Sequence, residues 1–354
     1  MLRVVTLNVR GIKQPLKRAA AFLSLSSVPF DILFLQECHL CSEAEGVAFS
    51  KGWERGPSAW GIGDGRGDGV GVLFNSFDWV IEATVSVVPG RVLCVDGMGR
   101  GLRFRAIAVY APCRVGQRRV FFRLLEPILG TNRLLLIGGD FNVDVEAEGG
   151  GELAQVMAGA GLVDVYRVVE PQDAGYTWRN SRGDTARLDL LFVAEGARVQ
   201  SCVLEPFWGS DHCMVVGSIQ LEVGTRGRGL WRLNTSALQD PTFCMVFRHL
   251  YAGWRHMRCL YATQVEWWED LKRRVAILCR WWGQEMARRK REKANVWSRK
   301  LYEAWKYGDH ERLREASEAL HAHYEAEARS YFVQAGREAL EQDERPTRYF
   351  FRSV

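Results

Sequence analysis

The sequence predicts an α/β fold in which buried strands alternate with helices, and three observations support this. Short apolar runs bounded by polar residues recur along the first 220 residues, a pattern typical of buried strands. Segments with apolar residues at helical spacing lie between several of these runs. Turn residues separate consecutive runs, as at Pro89-Gly90. The alternation indicates sheets covered by helices.

Each element is predicted from its local pattern, in chain order. The predicted strands are Leu2–Val5, Ile32–Leu35, Val70–Phe74, Val85–Val88, Val92–Val95, Phe104–Val109, Leu134–Ile137 and Leu190–Val193. The predicted helices are Leu16–Leu25, Arg118–Leu129 and Glu152–Ala160. Gly161 follows the last of them and serves as its stop signal.

Short polar motifs lie where these apolar runs stop or start. In order they are Thr6-Leu7-Asn8, Leu35-Gln36-Glu37, Gly139-Asp140-Phe141-Asn142, Arg187-Leu188-Asp189 and Ser210-Asp211-His212. Residues that end neighbouring strands collect at one edge of a sheet, so these distant positions are expected to converge on one pocket. Carboxylates, carboxamides and an imidazole together can hold a divalent cation, orient a water and bind a phosphate.

The order of these motifs resembles the endonuclease/exonuclease/phosphatase superfamily, which includes apurinic endonucleases, DNase I and inositol polyphosphate phosphatases. Val109-Tyr110-Ala111-Pro112 and Tyr176-Thr177-Trp178 extend the likeness. The resemblance covers residues 1–222 and implies a four-layer α/β sandwich, with two mixed β-sheets flanked by helices. Thr177-Trp178 followed by Arg187-Leu188-Asp189 is most similar to the endonuclease domain of LINE-type (non-LTR) retrotransposons.

A mainly α-helical region is predicted after a glycine-rich linker at residues 223–230. Residues 231–354 hold eight of the thirteen tryptophans, and helices are expected from Val265 to Tyr307 and from Asp309 to Leu340, parted by Gly308. The stretches 230–235 and 345–351 resemble the segment between endonuclease and reverse transcriptase in retrotransposon polyproteins. The resemblance therefore implies a fragment that stops before the polymerase.

Charge is divided unevenly between the two regions. Residues 1–224 carry 22 Lys and Arg against 25 Asp and Glu, whereas residues 225–354 carry 25 against 17. An acidic first region suits a cation site, and a basic second region suits a nucleic-acid backbone. The nine cysteines do not indicate a disulfide framework. No secretory signal or membrane span is expected, so the interpretation is a soluble intracellular protein, with a nuclear location implied by the family.

The resemblance implies a set of catalytic positions: Asn8, Glu37, Tyr110, Asp140, Asn142, Thr177, Asp189, Asp211 and His212. Glu37 is the expected Mg²⁺ ligand, with Asn8 and Asp211 as further ligands, and Mn²⁺ as a substitute ion. A hard oxygen set favours Mg²⁺, which keeps several waters and needs few protein ligands.

The remaining roles also follow from the resemblance. Asp140 orients or deprotonates the attacking water, and Asn142 fixes that water and the phosphate. His212 contacts a non-bridging phosphate oxygen. Asp189 holds the ring of His212 and favours its imidazolium form. Tyr110 donates its hydroxyl to the phosphate, while Thr177 supports the cluster or contacts DNA.

Two further segments are candidates for nucleic-acid binding. One is the predicted hairpin from residue 178 to residue 186, and the other is a basic cluster in the first C-terminal helix. The candidate residues are Trp178, Arg179, Asn180, Arg182, Arg288, Arg289, Lys290, Arg291 and Lys293. The alternatives for the basic cluster are a nuclear import signal and a solvated helix face.

The sequence thus predicts a Mg²⁺-dependent endonuclease that nicks double-stranded target DNA. The 3′-hydroxyl that it leaves would prime reverse transcription of the element RNA, which the missing polymerase would bind. An apurinic/apyrimidinic repair endonuclease, a lipid or inositol phosphatase and a catalytically inactive DNA-targeting module are the alternatives. The intact catalytic set argues against the inactive module.

Overall fold

The computed structural model describes residues 1–64, 67–146, 150–220, 237–238, 240–261 and 263–334. The described residues form two compact units. The larger contains residues 1–220 and those from Trp297 onward, and the smaller contains residues from 237 to Val296. The linker at 223–230 lies outside the described residues, so the domain limits at 222 and 231 stay a prediction.

The strands of the larger unit form two six-stranded sheets and a small hairpin. The first sheet has the order β13 (Arg198–Pro206), β14 (Cys213–Gln220), β1 (Leu2–Asn8), β2 (Ile32–Gln36), β4 (Val70–Phe74) and β3 (Ser58–Gly61). The second has the order β5 (Val80–Val88), β6 (Val92–Gly99), β7 (Leu102–Tyr110), β8 (Leu134–Asp140), β12 (Asp189–Ala194) and β9 (Leu162–Asp164). The pairs β1–β2 and β7–β8 are parallel, so both sheets are mixed. The hairpin consists of β10 (Trp178–Arg179) and β11 (Thr185–Ala186).

The helices of the described residues follow the chain in two groups. The first group is α1 (Pro15–Ser26), α2 (Glu43–Gly52), α3 (Val115–Arg123), α4 (Glu126–Leu129), α5 (Gly151–Gly159) and α6 (Val165–Val169). The second is α7 (Pro241–His256), α8 (Gln264–Tyr307) and α9 (His310–Gln334). Within the described residues, none of these helices has the length and apolarity needed to cross a membrane.

The two sheets pack face to face. Phe34 of β2 and Leu136 of β8 belong to one buried cluster that spans both inner faces. Gly138 is required there, because a Cβ at this position would lie 2.2 Å from Cδ2 of Phe34.

Helices cover both outer faces. Phe22 of α1 packs near Trp60 of β3, with ring centroids 6.3 Å apart. On the other side, Phe122 of α3 and Leu153 of α5 cluster with Ile137 of β8. The layers therefore run helix, sheet, sheet, helix, and the predicted four-layer sandwich is confirmed.

Some element boundaries differ from the sequence prediction. The single helix expected at 118–129 is wrong: α3 ends at Arg123, and the separate turn of α4 begins at Glu126. Pro127 causes the break, since it has no backbone N–H and restricts the residue before it. The strand β13 was missed because its side chains alternate between exposed and covered and never form a continuous apolar run.

The C-terminal helices agree closely with the prediction. The helix α8 ends at Tyr307, and Gly308 follows it with φ +69°, a conformation that favours glycine. The helix α9 is described as far as Gln334, so the predicted continuation to Leu340 lies outside the described residues. In the smaller unit, Phe243 and Trp282 form a buried core.

The helix α9 packs against α1. Its buried residues recur every fourth position and form one face of the helix, namely Ala316, Leu320, Tyr324 and Ala328. Tyr324 hydrogen bonds to Ser24 of α1. The ring of His321 stacks on Trp208, which precedes β14, with centroids 4.8 Å apart. This C-terminal helix is therefore a structural part of the larger unit.

Candidate active site

The edge of the sandwich where β1, β2, β8 and β12 end or begin carries the candidate site. Asn8 is the last residue of β1, and Asp140 is the last of β8. The Asn8 side-chain amide donates to Oε1 of Glu37 at 2.9 Å and to Oδ2 of Asp140 at 3.0 Å. Asn8 thus joins the carboxylates of the two sheets, and its oxygen accepts from the backbone N–H of Arg10.

Glu37 lies directly after β2 in a left-handed conformation, with φ 51°. Such a backbone is unfavourable for a non-glycine residue and is typical of functional sites. Its Oε1 also accepts a hydrogen bond from the Tyr110 hydroxyl at 3.0 Å. Burial and the Glu37 charge raise the pKa of Tyr110 above its usual range, so the phenol remains a donor. Both bonds go to Oε1, which leaves Oε2 for another ligand.

Asp140 is 1% exposed and faces a second carboxylate. Its strand neighbour across the β8–β12 ladder is Asp189. Burial and the charge of Asp189 raise the pKa of Asp140 to about 7, against the opposing effects of His212, Asn8 and the Asn142 N–H. A carboxyl group that titrates near neutrality can accept a proton from water at physiological pH.

Asn142 supports Asp140 through its backbone. Its N–H donates to Oδ1 of Asp140 at 2.9 Å, and its side-chain amide donates to the carbonyl of Ala111 at 2.9 Å. It also has a left-handed backbone, with φ 54°. These bonds fix the side-chain orientation of Asn142, while its predicted contact with water and phosphate stays a prediction.

His212 and Asp189 form a buried pair. Nδ1 of His212 lies 2.7 Å from Oδ2 of Asp189. The Thr177 hydroxyl donates to the same oxygen at 2.7 Å and accepts from the N–H groups of Leu188 and Asp189. Burial acts to lower the pKa of His212, but the charge and hydrogen bond of Asp189 outweigh it and raise the pKa to about 10. The ring is therefore an imidazolium at neutral pH.

The Asp211 side chain contacts the neighbouring hairpin and Arg10. Its Oδ2 accepts from the Trp178 indole at 3.3 Å and lies 3.5 Å from Nη1 of Arg10. The backbone of the hairpin also joins this loop, since the N–H of Arg179 donates to the Asp211 carbonyl. The role of Asp211 as a metal ligand stays a prediction. Arg10 was not identified from the sequence, although a basic residue two positions after Asn8 was a usable signal.

The two candidate nucleic-acid segments differ in their surroundings. In the hairpin, the Asn180 side chain accepts from the N–H groups of Arg182 and Asp184, which shapes the turn and leaves Arg182 exposed. In the basic cluster on α8, Arg288 is ion-paired with Glu285 and Glu292. Arg289 also pairs with Glu285. Part of the positive charge of that cluster is thus neutralised within its own helix.

The donor set fits a hard divalent cation. Asn8 links the carboxylates of Glu37 and Asp140 by hydrogen bonds, and Asp189 is the ladder neighbour of Asp140. The Oδ1 atom of Asp189 is buried without a hydrogen-bond partner among the described residues. Asp140, Asp189 and His212 also offer ligand atoms within 4.8 Å of one another. A protonated, hydrogen-bonded imidazole has no lone pair for a metal. Glu37 is therefore a better candidate than His212 for the residue that binds the cation.

The chain matches the model of the Endonuclease/Exonuclease/phosphatase family over residues 5–212. It belongs to that family, and the site accordingly has the chemistry of a phosphodiesterase-type hydrolase.

The chain is also similar to a protein from a transposon. The chain is 27% identical over 378 residues to the transposon TX1 uncharacterized 149 kDa protein of Xenopus laevis, a match that covers 99% of this chain and 29% of that protein. The chain therefore spans about a third of that relative's length.

Solved structures share the fold. The catalytic domain of Xenopus laevis APE2 superposes with a TM-score of 0.50 at 20% identity, covering 62% of this chain and 91% of that one. The AP endonuclease LMAP of Leishmania major gives a TM-score of 0.50 at 19% identity, covering 61% and 86%.

Proposed function

We propose that this chain is the Mg²⁺-dependent endonuclease part of a non-LTR retrotransposon protein, and that it nicks one strand of target DNA to leave a 3′-hydroxyl primer. The observation that carries the proposal is the continuous network from Glu37 through Asn8 to Asp140, beside the Asp189–His212 pair. The relative from a transposon, which matches almost the whole chain, supports the retroelement role.

The residues divide the hydrolysis between them. Asp140, with a pKa of about 7, accepts the proton of the attacking water. The water oxygen bonds to phosphorus and the bond from phosphorus to O3′ breaks. O3′ leaves with the bonding electron pair and takes a proton from solvent water to become the 3′-hydroxyl. His212, as an imidazolium, donates to a non-bridging phosphate oxygen and offsets the charge that develops there.

Glu37 would hold the cation, with its Oε1 fixed by Asn8 and Tyr110. A bound cation would supply positive charge that offsets the negative charge developing during the hydrolysis. The Tyr110 hydroxyl already donates to Glu37, so its predicted bond to the phosphate requires it to exchange partners. Thr177 and Asp189 act through His212 by holding its ring.

A nicking assay on supercoiled plasmid tests the proposal. We expect Mg²⁺-dependent conversion to the open circle, and extension of the nick by a DNA polymerase without prior treatment, because the 3′ end is a hydroxyl. Cleavage that survives EDTA, or ends that carry a 3′-phosphate, would contradict the mechanism. An abasic duplex and an inositol phosphate serve as side substrates. Preference for either would favour the repair endonuclease or the phosphatase instead.

A further inference from the structure

A cleft opens beside the candidate site, within the larger unit. Its volume is about 850 Å³, in the range of ~300–1,000 Å³ that is common for ligand-binding clefts. One wall is formed by residues 179–181 of the hairpin and by residues 206–211, and the other by the end of α8 with the start of α9. Asp211 lines it directly next to His212, so the cleft adjoins the catalytic centre.

Arg179 lines this cleft and is held there by its neighbours. Its guanidinium lies over the ring of Trp305 on α8, with 5.5 Å from Cζ to the ring centroid. A Cβ at Gly308 would lie 2.9 Å from Nη1 of Arg179, so this glycine makes room for the guanidinium. Nε of Arg179 is buried without a hydrogen-bond partner, and no carboxylate among the described residues pairs with this side chain. The guanidinium is therefore positioned but not neutralised.

The other charges of the cleft are mostly balanced. Asp211 lies 3.5 Å from Arg10, and Glu318 lies 3.9 Å from Arg314. Among the described residues, the Lys17 ammonium donates one hydrogen bond, to the carbonyl of Arg10. Burial together with the charge of Arg10 lowers the pKa of Lys17. Two cations, Arg179 and Lys17, therefore face one exposed carboxylate, Glu311. This balance favours an anionic ligand.

The wall formed by α9 is fixed to the catalytic unit. His321 stacks on Trp208, and Tyr324 bonds to Ser24. The position of Trp305 relative to Arg179 is therefore set by the same packing that holds α9 on α1.

We propose that this cleft binds the backbone phosphates of the target strand next to the cleaved bond, with Arg179 as the phosphate-binding residue and Trp305 as the residue that positions it. The proposal rests on the proposed function. It makes the C-terminal helices part of the DNA-binding site rather than a separate domain. A guanidinium held on an aromatic face presents its N–H groups edge-on, which suits a bidentate bond to phosphate.

Binding and salt dependence in the whole chain test this proposal. An Asp140→Asn background prevents cleavage, and a labelled duplex is titrated at ~50–200 mM salt. Arg179→Ala should weaken binding about tenfold or more, the scale of a lost charge-assisted bond. It should also reduce the log–log salt slope by about 0.9, the contribution of one phosphate contact. Arg179→Lys should retain that slope. Trp305→Ala should weaken binding about two- to fivefold, and Trp305→Phe should restore most of the loss.

Control substitutions show whether the effect depends on the place of the residue in the cleft or only on losing an arginine or a tryptophan. Arg103→Ala removes an exposed arginine at the far end of β7, and Trp281→Ala removes a tryptophan that is 54% exposed in the smaller unit. Both should leave affinity and slope unchanged. Because Trp305 acts through Arg179, Trp305→Ala should add no further loss to Arg179→Ala.

The outcomes distinguish this proposal from the proposed function. If Arg179→Ala changes the slope no more than Arg103→Ala does, or if the two cleft substitutions are additive, the cleft proposal is overturned. If wild-type protein leaves plasmid uncut in Mg²⁺, the proposed nickase activity fails, while the binding titrations still decide the role of the cleft.

Discussion

The substitution Asp189→Asn separates the charge of the Asp189–His212 pair from its shape. Asparagine keeps the volume and a hydrogen-bonding oxygen but removes the negative charge. In the wild type that charge is the main reason that the pKa of His212 rises to about 10 rather than falling on burial. We therefore expect His212 in the variant to titrate near or below its ordinary value of 6.5.

The magnitude follows from the two pKa values of His212. The rise from 6.5 to about 10 corresponds to about 5 kcal/mol in favour of the imidazolium, at ~1.4 kcal/mol per pH unit. Because the folded pKa is raised, this stabilisation is fully present below pH 6.5 and is lost as the pH rises through about 10. The difference in unfolding free energy between wild type and variant should shrink over the same window.

The assay combines a titration with a rate. The pKa of His212 is followed by NMR of its ring nitrogens, and nicking is measured at a mildly alkaline pH. We expect the rate to fall ~10²–10³-fold, the scale for losing one charge-stabilising donor. Asp173→Asn is the matched control, since Asp173 accepts a hydrogen bond from Tyr166 outside the site. A variant whose His212 still titrates above pH 9, or that nicks at the wild-type rate, would refute the reasoning.

Three further predictions concern the site and the core. Asp140→Ala and His212→Ala should each lower nicking at least ~10²-fold in the plasmid assay, and wild-type rates in both would place the site elsewhere. Activity should rise with pH through an acid limb near 7, the pKa of Asp140. The contribution of Asp140 to stability, measured as the difference in unfolding free energy between wild type and Asp140→Asn, should fall as pH rises from 3.8 to about 7, because only the folded state keeps that proton there; a flat activity profile together with a constant difference would contradict this. Gly138→Ala should cost ~1–3 kcal/mol of unfolding free energy by overpacking, since its Cβ would meet Phe34 at 2.2 Å, while Gly159→Ala has open space and should be neutral; equal denaturation midpoints would count against the packing argument.

Much of the site could be predicted because it is built on strand ends. Asn8, Asp140 and Asp189 each lie where an apolar run stops or starts. In the structure, hydrogen bonds link Asn8 to both Glu37 and Asp140, and link Asp189 to His212. Periodicity also located α8 and α9. The roles assigned to the individual residues stay predictions, since the network shows what each side chain contacts within the protein.

Other features depend on tertiary packing that no local pattern carries. The apolar residues from Ala316 to Ala328 predict a buried helix face, but this pattern does not predict that the face packs against α1. Arg179 was a candidate for DNA binding from its place in the hairpin, whereas its contact with Trp305 joins residues 126 positions apart in the sequence. The edge strand β13 escaped detection because half of its side chains face solvent.

The packing of α9 on α1 means that the larger unit is discontinuous along the chain. Its first segment ends near residue 220, and its last begins at Trp297, with the smaller unit inserted between them. During synthesis the sandwich can form early, but the face of α1 that includes Ser24 stays uncovered until α9 has been synthesised. Contacts so distant in sequence form late and slowly. A nascent or shortened chain would thus expose this face and lack one wall of the cleft. If the cleft binds DNA as proposed, full binding would arise only after α9 and the end of α8 have folded.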